Sequence, residues 1–342
     1  MLTLGGDVYD SVYTSLPLPS PTAQSIGGVL LKYPSGDSLF TDQSGWQTIP
    51  DNVYLGLRVK LDCDVFYVVK YSDSTIVECD TILISGNQLT PEFYDNNART
   101  ANAYYHAYHQ QQFINNLVND ETRLPWRLKI ITNDSNVNGG IFDPNSNSID
   151  ISTASGKLSH VVRHELSHAN TYNILWDNLF ANSGGDSNKA MDEACAEYLP
   201  CISNMDSLIY NPNDDGVAYS SDLLADGNTM WHIHGLYHPD LVGYCENDYS
   251  LYKARRTIAA AWYELQNILP SRKILLTLQQ LTTNAIGSQK RYVPRTFFNL
   301  LMRDANTDPS YKTLNANQMT IIDKYNSRKL FFSPKVEVLD AQ

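Results

Sequence analysis

Residues 159–170 read SHVVRHELSHAN, and the HExxH pattern within this stretch places histidines at His164 and His168. Apolar residues in the surrounding segment recur at helical spacing, so we predict a helix from Gly156 to about Trp176. In a helix, side chains four positions apart lie one turn apart on the same face. The two imidazoles are therefore expected to lie side by side.

Paired imidazoles of this kind can bind one zinc ion, at Zn–N distances of about 2.0–2.1 Å. Glu165 follows the first histidine and points to the same side, where it can act as general base toward a metal-bound water. The chain has 8 His and 9 Glu among its 342 residues, so chance gives the pattern about 0.005 times per chain. We interpret the pattern as a metal site; the alternative, two helical histidines that only pack, stays open.

A catalytic zinc ion needs a third protein ligand, and an acidic segment follows the HExxH helix. Residues 190–199 are predicted to form a short helix that ends at Pro200. Glu193 and Glu197 lie four positions apart on it, where like charges repel by about a few tenths of a kcal/mol. We interpret Glu193 as the third ligand and Glu197 as the acceptor of a hydrogen bond from a ligand histidine. Asp192 competes for the ligand role, and a solvated acidic face is the alternative for the pair.

This combination of an HExxH helix and a downstream Glu helix resembles the gluzincin metallopeptidases, the thermolysin- and fungalysin-like group. The stretches AYYH at 103–106, DEACAEY at 192–198 and TIAAAWYEL at 257–265 are similar to helices of that group. The likeness covers about residues 98–305.

The resemblance implies a zinc-dependent peptidase, most simply an endopeptidase, that hydrolyses peptide bonds with a zinc-activated water. His164, His168 and Glu193 would bind the zinc ion. Glu165 would be the general base, and Glu197 would orient His164. The implied partner is a peptide or protein substrate.

The chain departs from the family pattern where the oxyanion of the transition state is stabilised. Aligned on Trp262, the sequence offers no histidine near the start of the late helix, and Tyr249 and Tyr252 are the nearest candidates. Residues 231–238 read WHIHGLYH and hold three of the eight histidines, with His234 at their centre. This segment is either a second metal or substrate-binding loop, or a surface loop whose histidines have ordinary roles.

We predict an α+β fold in two parts. Residues 1–90 contain short strand-like stretches punctuated by Gly, Pro and Asp, which predict a small all-β, sandwich-like module. Residues 91–342 are predicted to form the metallopeptidase domain, which the resemblance implies is thermolysin-like and two-lobed. One lobe, at about 91–176, would contain the HExxH helix. The other lobe, at about 177–335, would be mostly helical. Other predicted elements are helices at 98–117, 253–268, 271–284, 294–305 and 316–326, and a β-hairpin at 140–152.

Composition excludes several classes of protein. A hydrophobic fraction of 42% with 22 Tyr indicates a folded core, and a net charge of −12 argues against nucleic-acid binding. The absence of a long apolar run predicts no membrane span. The low charge content favours an extracellular or surface-associated protein, although residues 1–10 show no signal-peptide pattern, so localisation stays open.

The cysteines and a segment rich in Asn and Asp are weaker indications of disulfide or metal sites. The five Cys include no CxxC pair, which argues against a thiolate zinc site, and Cys63 and Cys79 could pair with each other. Residues 211–216 read NPNDDG, whose oxygen ligands suit Ca²⁺, but the distal Glu of an EF-hand is missing and a plain turn is favoured.

Three other functions stay open. The chain could be a non-catalytic structural or adhesion protein that retains the metal site, with a fourth ligand such as His234. It could be an aminopeptidase of the same clan, although its few Glu argue against the necessary amine clamp. In the third, the module at 1–90 binds a surface or partner protein, and the peptidase part serves as its anchor.

Overall fold

The computed structural model contains both helices and small β-sheets, which confirms the α+β class. It describes the following residues: 3–12, 22–50, 56–72, 74–80, 82–85, 88–93, 99–118, 127–153, 155–175, 186–205, 208–212, 218–222, 224, 248–269, 271, 274, 276–277, 293–305 and 315–327. Within these residues, no helix combines the length and apolar character that crossing a membrane requires.

The chain divides into two compact units, each formed from several segments. The first contains Met1–Gln112, Arg123–Leu166 and Tyr210–Tyr219, and the second contains Phe113–Thr122, Ser167–Ile209 and Ser220–Gln342.

The described strands form four small sheets. Their orders are β2-β1-β10-β9 with β5 also paired to β1, then β4-β3-β6-β8, β12-β13-β11-β7 and β14-β15. The strands are β1 (Thr3–Val12), β2 (Thr22–Ser25), β3 (Leu30–Lys32), β4 (Ser38–Phe40), β5 (Trp46–Pro50), β6 (Arg58–Lys60), β7 (Phe66–Lys70), β8 (Glu78–Cys79), β9 (Ile82–Ser85), β10 (Gln88–Pro91), β11 (Leu128–Asp134), β12 (Gly140–Asp143), β13 (Ser148–Ser152), β14 (Leu208–Pro212) and β15 (Ala218–Asp222).

The described helices overlap predicted segments, although the third begins and ends four or five residues outside its predicted bounds and the fourth begins five residues early. Most of the predicted helix at 271–284 lies outside the described residues. The described helices are α1 (Arg99–Val118), α2 (Ser159–Leu175), α3 (Asp186–Asn204), α4 (Asp248–Glu264), α5 (Val293–Asp304) and α6 (Ala316–Ser327), with a 3-10 turn at Ser155–Lys157 before α2. The predicted hairpin is also present, because β12 and β13 pair in antiparallel register.

Strand β7 connects the N-terminal region to the sheet beside helix α2. It pairs in parallel with β11, with Phe66 opposite Leu128 and Lys70 opposite Thr132. A strand from residues 1–90 therefore shares a sheet with β11, β12 and β13, and the first compact unit extends past residue 90. Whether residues 1–90 can fold as a module by themselves stays a prediction.

Helix α1 packs closely on the N-terminal region. The Tyr104 hydroxyl donates a hydrogen bond of 2.8 Å to the carbonyl oxygen of Gly28. Gly28 has a φ of +68°, and a Cβ at this position would overlap the Tyr108 ring. The turn thus needs glycine both for its backbone conformation and for the close approach of α1.

Cys63 and Cys79, which the sequence would allow to pair, form no disulfide with each other, and both thiols are buried. Each thiol donates instead to a nearby carbonyl: Cys63 to Phe66 at 3.3 Å and Cys79 to Glu92 at 3.1 Å. Burial raises the pKa of Cys63 to about 11, so it is protonated at neutral pH.

Helix α3 continues through Pro200, so the predicted stop at this residue is wrong. A proline inside a helix removes one backbone hydrogen bond and crowds the preceding turn, at a cost of about 3 kcal/mol. The same turns bury Leu199 and Ile202, and each such side chain contributes about 1.5–3 kcal/mol. Packing therefore offsets the local cost.

Trp262 lies at the centre of the core that joins α3 and α4. Its ring lies 5.8 Å from that of Tyr198 and 4.9 Å from that of Phe297, and its indole nitrogen donates to the Tyr325 hydroxyl at 3.1 Å. The small residues 259–261 are fully buried on the same helix. This packing fixes the rotation of α4 about its axis, and hence the direction in which its earlier residues point.

We expect Gly28→Ala to lower the free energy of unfolding by about 2–5 kcal/mol in urea denaturation. A left-handed φ costs a non-glycine residue about 1–2 kcal/mol, and overlap with the Tyr108 ring adds about 1–3 kcal/mol. Gly36→Ala is the matched control, since Gly36 also has a positive φ but faces open space. It should lose only the first contribution, and equal losses in the two variants would contradict the packing argument.

Candidate metal centre

Helix α2 carries three histidines at intervals of four residues, and these share one face of the helix. His160 and His168 are buried, with 3% and 9% of their surfaces exposed, whereas His164 is half-buried. Val162 and Leu166 are fully buried elsewhere on the helix. The apolar residues thus anchor α2, and the histidine face is available for polar contacts.

The structure brings together the three residues that the sequence predicts as ligands. One ligand atom each from His164, His168 and Glu193 lies within 4.8 Å of the others. The distance from Nε2 of His168 to Oε1 of Glu193 is 3.7 Å. Ligand atoms about 2.0–2.2 Å from a tetrahedral metal ion lie roughly 3.3–3.6 Å apart, so these three residues are close enough for one ion to bind them together after a small adjustment.

Asp192 contacts Nδ1 of His168, the ring nitrogen on the opposite side from the one that faces Glu193. The Nδ1 atom of His168 lies 2.8 Å from Oδ2 of Asp192, and the Thr171 hydroxyl lies 2.7 Å from the other carboxylate oxygen. A carboxylate in this position accepts a hydrogen bond from Nδ1–H, so the lone pair of the neutral imidazole is on Nε2, the nitrogen that faces Glu193. Among the described residues, Asp192 belongs to neither group that could hold a metal, so its role differs from that of the competing ligand considered above.

Arg255 of helix α4 contacts both acidic residues of the predicted pair. Its Nη1 donates to Oε2 of Glu193, and its Nη2 lies 2.9 Å from Oε1 of Glu197. The guanidinium is buried, and Glu197 is only 1% exposed. Arg255 therefore relieves the repulsion between the two carboxylates, so that repulsion by itself does not require a metal ion.

Glu197 also lies close to the histidine face of α2. A second group that could hold a metal consists of His160, His164 and Glu197, with one ligand atom from each within 4.8 Å of the others. The predicted role of Glu197, to orient His164, is compatible with this distance and stays a prediction. His160 was missed from the sequence, although its position four residues before His164 was the available signal.

The predicted general base, Glu165, lies against the start of strand β12. A Cβ built on Gly140 would be 2.7 Å from Cγ of Glu165 and 3.0 Å from its Oε1. Glu165 is 6% exposed. Because β12 is the last strand of its sheet among the described strands, the carboxylate lies beside a sheet edge.

Several predicted residues cannot be placed beside these groups. Tyr249 and Tyr252 lie in the first two turns of α4, but their side chains are outside the described part of the structure. His234 and most of the calcium candidate, residues 213–216, also lie outside the described residues.

The two histidines of helix α1, His106 and His109, contact other side chains of the protein. Nδ1 of His106 accepts a hydrogen bond of 3.4 Å from Arg163. His109 packs against the Tyr105 ring, and its burial, together with the charge of Arg163, lowers its pKa to about 4. It is therefore neutral at physiological pH. Within the described residues, neither histidine belongs to a group that could hold a metal.

Comparison of the sequence with protein-family models gave no match, and a search of curated proteins gave none either. The gluzincin resemblance is therefore carried by the residues of the HExxH helix, the Glu helix and the flanking stretches alone.

We expect Asp192→Ala to weaken zinc binding by about 10–100-fold, because His168 loses the acceptor that fixes its tautomer and orientation. Competition with a chromophoric chelator would measure the affinity. Asp323→Ala is the control, since Asp323 is an exposed acid on helix α6. The same zinc affinity in both variants would show that Asp192 does not orient His168.

Proposed function

We propose that this chain is a zinc-dependent peptidase of the gluzincin type, an endopeptidase in the simplest case. The observation that carries the proposal is the meeting of His164, His168 and Glu193 around one position, with Nε2 of His168 turned toward Glu193. The orientation of His168 by Asp192 supports it, because ligand histidines in zinc enzymes are held in this way.

The donor set favours zinc over the hard cations. Two imidazole nitrogens and one carboxylate oxygen are the ligands of many catalytic zinc sites, whereas Ca²⁺ takes six to eight oxygen ligands. A zinc ion held there would supply a Lewis acid that lowers the pKa of a bound water toward about 7. Any Ca²⁺ would belong to a different part of the chain, such as the segment at 211–216.

Glu165 is the group that we assign to proton transfer. It follows His164 on α2, and its carboxylate lies beside the backbone of Gly140. It would accept a proton from the attacking water and return it to the leaving amine of the cleaved peptide. Its confined position, with 6% exposure, suits a base that must stay close to one reacting atom.

The edge of strand β12 is the proposed place for the substrate. An extended peptide can pair with a free strand edge through main-chain hydrogen bonds. Ile141, the second residue of this strand, is 50% exposed. A peptide along this edge would place its backbone close to Glu165. The proposal also implies a thermolysin-like, two-lobed arrangement of residues 91–342, with lobes at about 91–176 and 177–335.

A non-catalytic protein that keeps a peptidase-like site is the second candidate. The observation in its favour is Arg255, whose guanidinium already gives both Glu193 and Glu197 a positive partner. In such a protein, the cluster would stabilise the packing of α3 and α4 without performing hydrolysis.

Cleavage of an internally quenched fluorogenic peptide, with and without a zinc chelator, separates the two candidates. We expect zinc-dependent cleavage by the wild-type chain, and a loss of at least about 10²-fold in kcat for Glu165→Gln, because the general base is removed. Metal analysis should find zinc retained in Glu165→Gln and lost in a His164→Ala, His168→Ala double variant. A fully active Glu165→Gln protein would refute the mechanism, whereas bound zinc without cleavage of any peptide would favour the non-catalytic candidate.

We expect Gly140→Ala to lower kcat by about 10–100-fold, because the added methyl displaces the Glu165 carboxylate, and small displacements of a catalytic group cost this much. Zinc affinity should not change. Gly139→Ala is the neighbouring control: it has a positive φ, but a Cβ there meets nothing within 4 Å. If both variants lose activity equally, the contact between Gly140 and Glu165 is not the cause.

A further inference from the structure

We propose that Arg255 is a positioning residue that makes Glu193 a one-oxygen metal ligand. This inference rests on the proposed function, since it concerns the way in which the chain presents a ligand to zinc. Arg255 does not touch the substrate in this proposal. It acts through Glu193, whose two carboxylate oxygens it makes unequal.

The two oxygens of Glu193 have different partners. Oε2 accepts a hydrogen bond from Nη1 of Arg255, and Oε1 lies 3.7 Å from Nε2 of His168. The oxygen that faces the histidine is thus not the oxygen that the guanidinium holds. A carboxylate oxygen that accepts a hydrogen bond from a guanidinium gives up part of its electron density and is a weaker metal ligand. Ion binding through the other oxygen is therefore favoured, and Glu193 is biased toward one coordination bond.

The guanidinium is itself held in place. Its second nitrogen, Nη2, lies 2.9 Å from Oε1 of Glu197, a residue that is 1% exposed. Three and four residues further along α4, Ile258 and Ala259 are buried, and Trp262 follows one turn later on the same face. Because this face packs on α3, the Arg255 side chain leaves the helix toward the two glutamates. A planar guanidinium can hold two carboxylates at once, which a lysine ammonium does less well.

The same contacts allow a contrary effect, in which Arg255 competes with the metal ion for Glu193. The two effects predict opposite changes in zinc affinity when Arg255 is replaced. If Arg255 positions the ligand, its removal weakens zinc binding; if Arg255 competes with zinc, its removal strengthens zinc binding. The separate partners of the two Glu193 oxygens favour positioning, because the ion and the guanidinium do not need the same atom.

The experiment compares zinc affinity in the full chain and in Arg255→Gln by competition with a chromophoric chelator. We expect the affinity of Arg255→Gln to fall by about 10–100-fold, the usual loss when a residue that holds a metal ligand is removed. The Co²⁺-substituted proteins give a second measurement. In Arg255→Gln, the visible absorption of Co²⁺ should become weaker, because Glu193 can then bind with both oxygens and raise the coordination number.

Two further variants serve as a conservative replacement and a control. Arg255→Lys keeps a positive charge beside the buried Glu197 and protects the fold, but it cannot hold both carboxylates in the same geometry, so we expect a smaller loss of affinity and a shifted Co²⁺ spectrum. Arg256→Gln removes the neighbouring charge, whose side chain leaves the helix in a direction about 100° away. It should bind zinc like the wild type.

The outcomes separate this inference from the proposed function. Unchanged or tighter zinc binding in Arg255→Gln, with an unchanged Co²⁺ spectrum, overturns the positioning role while the peptidase proposal stands. If circular dichroism shows that Arg255→Gln does not fold, Arg255→Lys is measured in its place. Unchanged or tighter zinc binding and an unchanged Co²⁺ spectrum in Arg255→Lys then overturn the positioning role. A wild-type chain that binds no zinc overturns both proposals.

Discussion

A buried guanidinium between two carboxylates links helices α3 and α4 at the candidate metal centre. Glu197 is almost fully buried, and an isolated charge in that position would cost several kcal/mol. Arg255 compensates this charge and also contacts Glu193. The packing of Trp262 on α3 and α5 keeps α4 in the rotation that aims Arg255 at both acids. The arrangement of acids in the site therefore depends on the core of the second compact unit as well as on the sequence around HExxH.

Helical spacing accounts for the part of the site that could be predicted. The positions of His164 and His168 on one face follow from their separation of four residues, and the same holds for Glu193 and Glu197. Contacts between helices do not follow from local spacing, because they depend on the rotation and register that packing selects. Nothing in the sequence near residue 255 indicated an arginine directed at α3, and nothing near residue 192 indicated which nitrogen of His168 would meet its carboxylate.

The fold shows the same division between local and non-local information. The helices and the β12–β13 hairpin were predicted because their signals lie within a few consecutive residues. The parallel pairing of β7 with β11 joins residues about sixty positions apart, and no local pattern encodes such a partner. Pro200 is the reverse case: the local signal for a helix end was clear, but burial of Leu199 and Ile202 outweighed it.

The charges at the candidate metal centre indicate whether Arg255 alone can neutralise the carboxylates there. Asp192, Glu193 and Glu197 supply three carboxylates around His168 and Arg255. One guanidinium neutralises one of these charges, and a divalent ion bound at His164, His168 and Glu193 would neutralise the other two. Arg255 contacts the far oxygen of Glu193 and the buried Glu197, whereas His168 faces the near oxygen. The guanidinium and a divalent ion would thus contact different oxygens of Glu193, so the ion pairs of Arg255 are compatible with the proposed metal site.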